Sequence, residues 1–111
     1  MTLNARTLNR LRKDGWLPAI VEQHNTFSGK KNDLFGFIDI IALRDGETLG
    51  VQVTSAANMA ARIHKIESDE LADNLAAVRK AGWRLEVWGW KKPTSTTGPR
   101  RLWRLRVVDV S

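Results

Sequence analysis

The sequence contains no cysteine. Disulfide frameworks and cysteine-based zinc sites are therefore excluded, and a reducing compartment fits. Histidine is scarce as well: His24 and His64 are the only two, and neither belongs to an HxxxH or HExxH spacing, which argues against a zinc hydrolase. His64, beside Lys65, is expected to face solvent. Long apolar runs are missing: none approaches the ~20 residues that a membrane helix needs, and MTLNARTLNR has no signal-peptide core. The expectation is a cytoplasmic protein with no membrane partner. No G-x-x-x-x-G-K-[ST] phosphate loop is present; Ser28-Gly29-Lys30-Lys31 reads instead as a basic loop.

Acid is in deficit. Twelve Asp and Glu stand against 18 Lys and Arg, for a net charge of +6 and a pI near 10.3. Such a balance favours a polyanionic partner, nucleic acid foremost, through counterion release. The cations crowd toward the C-terminal end, at Lys91, Lys92, Arg100, Arg101, Arg104 and Arg106. The 111 residues suffice for one modest domain with a single core. At 42% hydrophobic and 27% charged, the chain is of the globular class.

Periodicity predicts an α/β order. Residues Thr2 to Lys13 repeat apolar positions at helical spacing, and Trp16 to Gln23 reads as a strand with Pro18 near its start. The loop HNTFSGKKND leads to two strands, roughly Gly36–Leu43 and Thr48–Thr54. Ser55 and Ser68 are candidate N-caps for AANMAARIHKI and DELADNLAAVRKAG. Trp83 to Trp90 and Leu102 to Val110 alternate as strands, separated by the polar loop PTSTTGP.

The two central strands carry the chemistry. Asp45-Gly46 predicts a two-residue type I′ turn, so Arg44 faces Glu47, and counting outward places Asp39 opposite Gln52. Alternation then puts Asp39, Gln52 and Thr54 on one face, with Ile38, Ile40, Val51 and Val53 on the other. An Asp between isoleucines is costly to desolvate unless hydrogen-bonded, paired or bound to a cation. Either Asp39 and Gln52 hydrogen-bond each other, or they serve a hard metal ion through oxygen ligands.

Asp39 in the second strand, a turn, then Gln52-Val53-Thr54 in the third resembles the PD-(D/E)XK nuclease signature. There an acidic or amide residue stands two before a Lys. The order of helix, three strands, helix and strand matches that family's core. The stretch DLFGFIDIIALRDGETLGVQVTS…N…R..KI…AGWRLEVWGWKK is similar to archaeal-type Holliday junction resolvases and related small phage-encoded proteins over most of the chain.

The resemblance implies one restriction-endonuclease-like domain over residues 1–111, with a central mixed sheet of about five strands flanked by helices. It also implies a Holliday junction resolvase: a Mg²⁺- or Mn²⁺-dependent endonuclease acting on branched or four-way-junction DNA as a homodimer, in the host cytoplasm if phage-encoded. Asp39, the Gln52 carbonyl and Glu22 are then the expected metal ligands, with Asp33 the alternative acid. Thr54 stands where the family usually has Lys, and Lys65 on the next helix is the expected substitute cation. Lys30, Lys31, Arg62, Lys91, Lys92, Arg100 and Arg101 are the expected DNA contacts. Trp90 and Trp103 are expected to be the exposed tryptophans. A non-catalytic DNA-binding module on the same fold is the alternative, with an RNA-binding protein behind it.

Overall fold

The computed structural model describes residues 1–24, 27, 31–93 and 102–111, with the backbone alone for His24 and Lys31. Helix α1 (Leu3–Lys13) starts where the Thr2 hydroxyl accepts a hydrogen bond from the Ala5 N–H at 3.0 Å. It places Thr7 and Leu11 against the sheet, both fully buried. It stops at Asp14, with Gly15 in the left-handed region at φ 88°.

The central sheet has five strands, β1 (Leu17–Ile20), β4 (Ile40–Arg44), β5 (Glu47–Ser55), β6 (Arg84–Lys91) and β7 (Arg104–Asp109), in the order β1-β4-β5-β6-β7. Only β5 and β6 run parallel, so the sheet is mixed, as the sequence predicts. The crossover between them carries helices α2 (Met59–Ile66) and α3 (Ala72–Lys80), each entered through a short 3-10 turn. Short strands β2 (Gln23–His24) and β3 (Lys31–Asn32) form a separate two-stranded ribbon. Pro18 sits on the edge strand β1, where a missing N–H costs no ladder bond. Among the described residues no helix is long and apolar enough to cross a membrane.

The β4–β5 hairpin has the expected register. Asp45 (φ 48°) and Gly46 (φ 80°) both lie in the left-handed region that a type I′ turn requires, and Arg44 pairs with Glu47. The first hairpin strand is shorter than its sequence suggests, starting at Ile40 instead of Gly36. Phe35 (φ 57°) and Gly36 (φ 89°) turn the chain, and Leu34 bridges Ile38. A Cβ on Gly36 would lie 2.7 Å from Leu71 Cδ2, so glycine also makes room for the helical layer.

The expected facing is corrected between Ile38 and Ile40, where Asp39 and Ile40 both lie against Val51 as a bulge. Ile38 packs with Phe37 in the core between the sheet and α2 and α3, together with Met59, Ile66, Leu75 and Val87. Ile40 and Val51 pack in the core under α1, with Leu11, Trp16, Trp88 and Trp90. The sheet is thus covered on both faces. Truncating a core side chain such as Leu11 to Ala should cost about 2–5 kcal/mol.

Candidate metal centre and nucleic-acid interface

Asp39 directly precedes β4, and its backbone is pinned from both sides. Its N–H donates to Val51 O and its carbonyl accepts from the Val21 N–H, each at 2.9 Å. The Val21 bond continues the β1–β4 register by one pair. Val51, in contrast, is already the partner of Ile40, so the hairpin ladder ends in a bulge at Asp39 that leaves its side chain beside Gln52. Asp39 Oδ2 accepts from Gln52 Nε2 at 2.7 Å and from the Val53 N–H at 2.8 Å. The hydrogen bond weighed from sequence is therefore present, and it orients the carboxylate.

Two further acids converge on it. Glu22 follows β1 and Asp33 follows β3, and one carboxylate oxygen from each of Glu22, Asp33 and Asp39 lies within 4.8 Å of the others. The sequence offered Glu22 or Asp33 as the extra acid; the fold brings both. Burial raises the Asp39 carboxyl most, followed by its hydrogen bond with Asp33 and the negative charges of Asp33 and Glu22. The Val53 N–H opposes the change, yet the group is pushed up to about 8 from 3.8. Three mutually repelling acids, one of them almost wholly buried, could hold a hard divalent cation through oxygen.

The acids line a cleft of about 630 Å³ together with Gln52, Arg62 and Lys65. Arg62 and Lys65 stand three apart on α2, so one side of that helix turns both toward the cleft. Thr54 is buried and is not among the described residues lining this cleft. His64 is exposed, as expected.

Asn4 was not legible as a site residue. It lies in the first turn of α1, lines the cleft, and donates from Nδ2 to Glu22 Oε1 at 2.8 Å. An Asn near a helix start reads from sequence as ordinary capping chemistry, so no local signal marks it.

Lys91 and Lys92, at the end of β6, are exposed and line a second cleft of about 570 Å³. Lys30, Arg100, Arg101 and the side chain of Lys31 lie outside the described residues. The expected exposure of Trp90 is corrected. Its ring is buried beneath α1, and its Nε1 donates to Thr7 Oγ1 at 2.9 Å, which satisfies the indole N–H away from water. Trp103 is half-buried, with the Arg6 guanidinium 3.9 Å from its ring centroid. Compared with family models, curated proteins and solved structures, the chain matches none.

Proposed function

We propose that the chain is a metal-dependent endonuclease that cleaves DNA phosphodiesters, with branched DNA such as a Holliday junction as substrate. The observation that carries this reading is the meeting of three carboxylates with two cationic side chains in one cleft. The donor set fits Mg²⁺ or Mn²⁺: all three groups offer hard oxygen, and neither thiolate nor imidazole is among them. Ligands of an octahedral magnesium ion with bonds of ~2.1 Å lie about 3–4 Å apart, so small side-chain rotations would close the 4.8 Å cluster.

Asp39, Glu22 and Asp33 would hold the ion, with the Gln52 carbonyl as a further ligand after rotation of its amide. When bound, a divalent ion supplies a water of lowered pKa and a positive charge against the phosphate oxygens. Asn4 orients Glu22, while Gln52 and the Val53 N–H orient Asp39. Lys65 and Arg62 face the space where a phosphate would sit and stabilise charge developing on its oxygens. Symmetrical cutting of a junction needs two copies related by a two-fold axis.

The buried Thr54, which leaves the family's lysine position without a cation, favours a second reading: a DNA-binding module without catalysis. One experiment separates them. The protein is incubated with a four-way junction, matched duplex and single strand, with and without Mg²⁺. Metal-dependent nicking of the junction supports the nuclease, whereas tight binding unaffected by metal and without cleavage supports the module.

A further inference from the structure

Beside the acidic cleft lies a second one of different character. Its floor is apolar, made by Leu3, Ala56, Ala57, Trp90 and Trp103, and Lys91 and Lys92 stand at its rim. Leu3 lines both clefts. Strand β5 connects them, with Gln52 in the first and Ser55 in the second. Three residues of extended strand span about 10 Å, so the two clefts are neighbours at the ends of the parallel strands β5 and β6. The Trp103 ring is held by the stacked Arg6 guanidinium, whose Nε is buried without a hydrogen-bond partner among the described residues. The ring is therefore fixed in a positively charged setting before anything binds.

We propose that this second cleft receives one unstacked nucleobase of the DNA substrate, from the nucleotide beside the phosphate bound at the acid cluster. The occupant follows from the chemistry of the walls. An apolar floor with an indole accepts the flat faces of any base, and two lysines at the rim meet the phosphate that every nucleotide carries. A paired and stacked base cannot enter. The cleft thus selects DNA that already has an unpaired or easily unstacked nucleotide at the cutting position, as branch points do, because unstacking a damaged or unpaired base costs least. This inference rests on the reading of DNA as substrate.

The test uses the full chain in chelator, with fluorescence anisotropy of three labelled duplexes: perfectly paired, with a single bulged adenine, and with a bulged abasic nucleotide. The wild-type protein should bind the bulged adenine about 5- to 140-fold more tightly than the abasic bulge, the range for one base stacked on an aromatic side chain. Trp103→Ala should erase that preference. Ala57→Leu fills the cleft from an exposed position that leaves the core intact, and it should erase the preference while keeping affinity for the paired duplex. Equal wild-type affinity for the adenine and abasic bulges would overturn the proposal, as would a preference that survives in Ala57→Leu. Failure of the nuclease reading looks different: the base preference persists, but Mg²⁺ produces no cleavage.

Discussion

At the scale of single residues, Asp39 links stability to chemistry. Its carboxyl is raised to about 8 in the folded chain from an ordinary 3.8. The folded state therefore keeps a proton that the unfolded state releases, and the linkage slope is negative. The associated stability is fully present below the unfolded value of 3.8 and is lost as pH rises toward 8. Asp39→Asn has no proton to lose, so thermal melts in chelator should show a flatter pH dependence than wild type across that window. Adding Mg²⁺ at the alkaline end should restore wild-type stability and leave Asp39→Asn unmoved, while junction cleavage by the variant disappears. Asn4→Ala frees Glu22 from its orienting bond; titration calorimetry should show divalent affinity lowered by about 10- to 100-fold, the usual effect of losing a group that orients a ligand. Lys65→Ala should slow single-turnover cleavage by about 10²–10³-fold, as expected when one charge-stabilising group is removed, with little change in binding. A wild-type rate would assign the cation role to Arg62.

At the scale of elements, what was legible depended on local rules. The hairpin register followed from Asp45-Gly46, because two adjacent positive φ angles fix the turn and the turn fixes each pair out to Ile40 and Val51. Through that register, the meeting of Asp39 with Gln52 was readable in advance. The turn at Phe35 and Gly36 was not, since Phe35 in a positive-φ conformation goes against its propensity and is imposed by the packing of Phe37 and Leu71. The burial of Trp90 was hidden for a similar reason: its partner, Thr7, lies 83 residues away on α1. Long-range contacts also explain why Asp33 joined Glu22, since the ribbon of β2 and β3 returns the chain to the cleft. Helix α2 offers an element-scale test. A methyl at Gly89 would collide with the Met59 side chain and approach Ala56 Cα at 3.2 Å, at the entry to α2. Methionine can yield, but backbone cannot do so without moving the helix. Gly89→Ala should therefore lower stability by about 1–3 kcal/mol in denaturant melts and displace Arg62 and Lys65, reducing cleavage beyond what the stability loss explains. Full activity in a folded variant would show that α2 shifts without disturbing those two side chains.

At the scale of the whole molecule, the charge excess of +6 becomes meaningful only once charges already engaged are set aside. Arg10 is bound to Asp14 at 3.2 Å, Arg6 is stacked on Trp103, and Arg84 bridges Glu47 and Glu86 at 3.2 and 3.0 Å. None of these is well placed to meet a phosphate. Lys91 and Lys92 stand exposed at the rim of the apolar cleft, and Arg62 and Lys65 line the acidic one. The duplex arms should then run past the ends of β5 and β6, with Lys91 and Lys92 holding backbone away from the scissile bond; Arg100 and Arg101, the further DNA contacts expected from sequence, lie outside the described residues. Each neutralised phosphate adds about 0.9 to the slope of log affinity against log salt. Replacing these four residues with Ala should weaken binding at moderate salt and flatten the slope by about 0.9 for every phosphate left without its cation. Cleavage at saturating protein should persist, because the acid cluster and its two cations are untouched. An unchanged slope in the quadruple variant would move the DNA track away from the end of β6. With Arg6 and Arg10 already engaged, the exposed Arg12 and Lys13 on α1 and Arg62 on α2 would be the next cations to test, and replacing them with Ala should then carry the missing salt dependence.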